Sequence, residues 1–156
     1  MTSAATIRTL ADVVGRGLFA GLAGTAAMTV SSTVEARLNK RGASSAPADA
    51  AATVAGVEPT ESGRTRFNSM AHWGYGTGWG IARGLLSLTG MSAPAATAAH
   101  LGAVWGAEQA VLPALGVGAP VWKYGASATG TDALHHTVYA VATGLAYAWL
   151  DSAPGR

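Results

Sequence analysis

Two stretches of eighteen residues without a charged side chain constrain this chain more than any other feature. The first, Gly17 to Val34, reads GLFAGLAGTAAMTVSSTV, and the second, Ala133 to Leu150, reads ALHHTVYAVATGLAYAWL. A helix that crosses a bilayer needs about 20 mostly apolar residues, and both runs approach that length. A soluble Ala-rich four-helix bundle is the competing reading. Such a bundle shows charged outer faces on every helix, and neither run carries a charge on any face.

Between the two runs lies a weakly polar region, Phe67 to Trp122, whose only formal charges are Arg83 and Glu108. It is too long for one crossing and suits two. Thr89-Gly90-Met91-Ser92-Ala93-Pro94 divides it, because Gly and Pro punctuate helices. The pattern predicts four spans at about 14–36, 68–89, 94–115 and 131–150. The expected fold is all-α, a single-domain, polytopic four-helix transmembrane bundle. The joint Leu38 to Arg66 is its most polar part. Ser44-Ser45-Ala46-Pro47-Ala48-Asp49 within it looks like a helix start with a Ser cap and an early Asp. A short interfacial helix over 47–56 is expected to follow. The N-terminus does not have the pattern of a cleaved signal peptide, since its apolar run starts late and continues too long.

Charge and composition exclude several classes. Only 12% of residues are charged, and the net charge is +2. Disordered chains are charged and poor in apolar residues, whereas here 49% are hydrophobic. Nucleic-acid binding needs a dense basic face, and none is present. The chain has no Cys, which removes disulfides, thiolate metal sites and cysteine nucleophiles. The only lysines, Lys40 and Lys123, fall in expected loops, so a mid-membrane Schiff base is not expected. Gly-x-Ser-x-Gly, His-Glu-x-x-His and Walker motifs are absent. Gly74-x-Gly76-x-Gly78 with Gly80 resembles a dinucleotide turn superficially, but no strand precedes it and the spacing is wrong. A non-enzymatic protein is expected. With the first loop inside, Arg37, Lys40, Arg41, Arg64, Arg66 and Lys123 lie on the inner side, against Arg8, Arg16, Arg83 and Arg156 outside. The positive-inside rule then places both termini outside.

Glycines four apart make smooth strips at Gly17/Gly21, Gly74/Gly78, Gly76/Gly80/Gly84 and Gly102/Gly106. In a bilayer such strips admit a neighbouring backbone. They serve packing within the bundle or, in the sharper reading, a homo-oligomer face. Replacing Gly78 or Gly106 with Leu is expected to destabilise the bundle.

Ionisable groups within spans are costly and usually face the interior. His72, Tyr75, Trp79 and Arg83 share a face of the second span, as do Asp132, His136, Tyr139, Thr143 and Tyr147 on the fourth. Antiparallel threading puts His72, Glu108 and His136 at one depth, each on a different helix. Glu35, Asp132 and His135 enter at the same end, and His100 should stand apart. The cluster has three readings: a structural network that satisfies its own polar groups, a site for a transition metal, or b-type haem between His72 and His136. The preferred metal ligands are His72, Glu108 and His136, with Glu35, Asp132 and His135 as second choices. The Glu-x-x-His pairs of carboxylate-bridged bundles are absent. A proton path is a functional form of the first reading, because Asp, Glu and His chains relay protons.

The layout resembles the YagU-like family of small bacterial inner-membrane proteins. The resemblance rests on Gly17-Leu-Phe-Ala-Gly-Leu-Ala-Gly24, then Glu35, the segment Arg41 to Pro47, and His72, His100 and His135-His136. It covers most of the chain as architecture, although this chain is shorter than expected for the family. It implies an inner-membrane location in a bacterium and a role in acid tolerance. It carries over no catalytic residues. The alternative expectation is a metal- or haem-binding membrane protein, or an accessory subunit of a larger membrane complex.

Overall fold

A computed structural model describes residues 3–42 and 44–152 of the chain. Five α-helices account for most of them: α1 (Ser3–Leu38), α2 (Ala46–Ala55), α3 (Arg64–Leu86), α4 (Ala93–Ala114) and α5 (Ala126–Ser152). Among the described residues there is no strand, so the all-α expectation is correct. The four long helices overlap the four expected spans. α1 begins at Ser3 rather than near 14, and α5 begins at Ala126 rather than near 131. Neither flank contains a proline, and Gly130 alone does not stop α5, so both helices continue past the apolar runs. Arg156, counted above for orientation, lies outside the described residues.

Local signals explain the breaks. Gly90 adopts a left-handed conformation (φ 78°) after the short 3-10 turn at Ser87–Thr89. Ser92 then caps α4, its hydroxyl accepting from Ala95 N at 3.4 Å, with Pro94 in the first turn. This is the division that the Thr89–Pro94 segment predicts. The short helix also forms, one residue earlier than expected, but Ser45 makes no side-chain cap hydrogen bond. Its hydroxyl instead donates to Asp49 Oδ2 at 2.8 Å. α2 rests on α3, where Asn68 Oδ1 accepts from Ala48 N at 3.0 Å and Asp49 pairs with Arg64.

α1 is the central helix, packing against α3 on one side and α5 on the other. α4 lies mainly on α5. The α1–α3 contact is backbone on backbone. A Cβ at Gly17 would meet Gly80 O at 2.6 Å, and one at Gly21 would meet Thr77 O at 2.5 Å. One at Gly84 would meet Val13 O at 2.5 Å. The Gly17/Gly21 and Gly76/Gly80/Gly84 strips are therefore internal packing surfaces. The other two strips are not. A Cβ at Gly74, Gly78, Gly102 or Gly106 would meet nothing within 4 Å, which overturns the expectation for Gly78→Leu and Gly106→Leu. Gly78 lies two residues from Gly76 and Gly80, about 200° around the helix, so it points away from the face they share.

The bundle's interior is small and polar. Thr25, Arg83, His100, His135, His136 and Thr143 are buried, alongside Ala20, Ala140, Tyr139 and Tyr147. Its outside is apolar: Phe19 is 69% exposed and Leu145 also 69%, with Val30, Leu22 and Val141 exposed on the same two helices. The polar stripe of the last helix is thus its buried face. The buried hydroxyls return to their own helices, Thr25 to Gly21 O at 2.7 Å and Thr143 to Tyr139 O at 2.8 Å, the back-bonding that satisfies such groups without water. α1 is the one described helix long and apolar enough, by length and composition, to cross a membrane. The four-span reading therefore does not follow from helix hydropathy alone.

Candidate functional site

Glu35, Glu108, Asp132, His135 and His136 gather at the end of the bundle where α1 finishes and α5 begins. Three of them face one another there, Glu108 on α4 with Asp132 and His136 on α5. One donor atom from each lies within 4.8 Å of the other two. His136 Nε2 stands 3.0 Å from Glu108 Oε2. The opposite ring nitrogen, Nδ1, is 2.9 Å from the backbone carbonyl of Asp132. A carbonyl only accepts, so Nδ1 carries a proton and donates it. This helical i, i−4 bond fixes the ring orientation. The Asp132 carboxylate is held in turn by Trp105, whose indole N–H donates to Oδ2 at 2.7 Å. The imidazole side chain is 9% exposed, the Glu108 and Asp132 side chains about a quarter. A shallow cleft lined by Glu108, Gln109, Leu112, Gly118 and Tyr124 opens beside the group.

A second group sits next to it on the α1 side. His135 Nδ1 is 2.8 Å from the Ser31 hydroxyl, and its Nε2 faces Glu35 Oε2 at 3.7 Å. Glu35 is engaged by Arg41, whose Nε lies 2.7 Å from Oε2, and by Asn39 Nδ2 at 2.9 Å. The hydrogen bonds to Glu35 hold the Arg41 guanidinium above the ordinary arginine pKa. Neighbouring residues His135 and His136 thus point to different helices, about 100° apart as the helical repeat requires.

The grouping differs from the sequence-based one at His72. Its Nε2 is 3.0 Å from the Thr29 hydroxyl of α1, apart from the Glu108 group. Threading sets depth but not azimuth. α1 packs extensively on both α3 and α5, so the buried face of α3 turns to α1 and takes His72 with it. Asp132, a second choice, lies where His72 was expected. Trp105 was not singled out, although its place three residues before Glu108 puts both on one face of α4. His100 stands apart, as expected. It is fully buried, its Nε2–H donating to Trp79 O at 3.0 Å and its ring 5.6 Å from that of Tyr139. Arg83 is buried towards the other end, its guanidinium 4.8 Å above the Tyr147 ring.

No protein-family profile, curated protein or solved structure matches the chain. The chemistry of the site therefore rests on its own residues. An imidazole with two carboxylates can hold a proton between them, tie α4 to α5, or ligate a cation.

Proposed function

We propose that the chain is a multi-pass integral protein of a bacterial inner membrane, with α1, α3, α4 and α5 crossing the bilayer and α2 lying at its surface. The observation that carries this reading is the inverted distribution of side chains, polar inside and large apolar outside. In water, an apolar belt this size would drive association. In lipid it is the expected exterior, and the buried Thr, His and Arg are the expected interior.

The charged rims support the same geometry. At one end of the bundle Arg16 pairs with Asp151 at 2.6 Å. At the other, Glu35 and Asp132 lie beside the histidine pair. Arg16 to Glu35 on α1 and Asp132 to Asp151 on α5 each cover ~28 Å at the helical rise, close to the ~30 Å of a hydrocarbon core. Loops 39–63 and 115–125 with the helix ends that flank them hold Arg37, Lys40, Arg41, Arg64, Arg66 and Lys123, six of the ten Lys and Arg residues, so they belong inside. The biochemical role we infer is non-enzymatic, structural or stress-related. In it the His/carboxylate end ties α1, α4 and α5 together by mutual pairing. The resemblance to YagU-like proteins is what suggests acid stress. The haem alternative has less support, because His72 turns to α1 and His136 to α4.

Membrane fractionation tests this. The protein should stay in the pellet after a carbonate wash and need detergent for release. Recovery as a soluble monomer without detergent would sink the reading.

A further inference from the structure

We propose that Glu108, Asp132 and His136 form a binding site for one divalent first-row transition-metal ion. The inference starts from the protons. Nδ1 of His136 is committed to the Asp132 carbonyl, so Nε2 is the ring nitrogen left to ligate, and it faces the Glu108 carboxylate. Glu108 Oε2, 3.0 Å away, is buried and accepts no well-formed hydrogen bond. In the metal-free protein the two atoms form an ion pair without a well-formed hydrogen bond, and a metal ion that replaces the imidazolium proton binds both. Donors each bound to one metal at about 2.1 Å stand roughly 3–3.5 Å apart, which the Nε2–Oε2 separation already meets. The third donor, an Asp132 carboxylate oxygen, comes from the same group of atoms within 4.8 Å of one another.

The surroundings match what a metal ligand set requires. A ligating histidine donates its other ring N–H to a carbonyl or carboxylate, and ligating carboxylates are themselves hydrogen-bonded. The Asp132 carbonyl serves His136 in that way, and Trp105 serves the Asp132 carboxylate. Charge points in the same direction. As ligands, two carboxylates and a neutral imidazole carry −2, which a divalent ion cancels at the edge of an apolar bundle, where net charge is expensive. One nitrogen and two oxygens suit Zn, Mn, Fe, Co or Ni, with water completing the shell from the cleft beside Glu108. α4 and α5 position all three ligands, so the proposal does not depend on whether the bundle spans a membrane.

Cobalt(II) is a suitable probe, because its visible spectrum reports coordination directly. The full chain, purified and stripped with a chelator, should take up one equivalent with a saturable d–d band. Glu108→Gln keeps the side-chain shape and should weaken binding at least about 100-fold. Trp105→Phe removes only the outer hydrogen bond and should weaken it about 10–100-fold. His72→Gln should leave it unchanged. Circular dichroism and gel filtration establish that each variant is folded. A folded wild-type protein that shows no saturable cobalt band overturns the proposal. So does binding that survives both Glu108→Gln and Asp132→Asn, which would place the ion elsewhere, and so do several weak equivalents shared by all variants.

Discussion

Gly80→Leu is expected to be the most damaging single substitution in the protein. Gly80 lies against Gly17 and Gly21 of α1, and its added Cβ would run into the backbone of both. Backbone cannot swing aside as a side chain does, so α1 and α3 must separate along their main contact. Overpacking a tight core typically costs 1–3 kcal/mol. Here the obstacle is main chain and the contact is the largest in the bundle, so the loss should exceed about 3 kcal/mol. Gly78→Leu, two residues away, and Gly106→Leu on α4 should be mild, since neither site has a neighbour within 4 Å. Thermal unfolding of the three variants in the same detergent checks this. Equal melting of Gly80→Leu and Gly78→Leu would show that the α1–α3 contact is not the one described.

His136→Leu has the second largest expected effect, best measured after metal has been stripped. The substitution removes the group that faces Glu108 Oε2 and leaves two carboxylates close together. Removing one partner of a buried pair costs ~3–5 kcal/mol. Glu108 is about a quarter exposed, so about 2–3 kcal/mol is the appropriate expectation. The double variant, His136→Leu with Glu108→Leu, should recover part of that loss, because no charge is then stranded on α4. If the two changes simply add, the pair is not coupled and the site's electrostatic account fails.

Much of this architecture is legible in the sequence, and the exceptions share a physical cause. Helix existence and the break before Pro94 follow from local signals, namely apolar runs, Gly90 and the Ser92 cap. The buried stripe Asp132, His136, Tyr139, Thr143 and Tyr147 follows from helical periodicity on one helix. Relations between helices are harder. Depth follows from antiparallel threading, which is why Glu108 and His136 meet. Azimuth depends on which helices are neighbours, and only the fold places α1 between α3 and α5. That arrangement turns His72 to Thr29 and leaves Asp132 in its place. It likewise separates Gly76 and Gly80, pressed on α1, from Gly74 and Gly78, where an added Cβ would meet nothing within 4 Å. Two glycine strips with the same spacing on one helix are indistinguishable without that knowledge.

The absence of cysteine gives the most direct test of the proposed four-span architecture. Single cysteines can be placed by Thr6→Cys, Glu58→Cys, Thr89→Cys and Lys123→Cys, with Phe19→Cys and Leu145→Cys on the outer apolar belt. Intact cells are then treated with a membrane-impermeant maleimide. Thr6→Cys and Thr89→Cys should be labelled in intact cells, Glu58→Cys and Lys123→Cys only after lysis, and Phe19→Cys and Leu145→Cys in neither case until detergent is added. Uniform labelling of all six positions in lysate without detergent would contradict a bundle whose exterior lies in lipid.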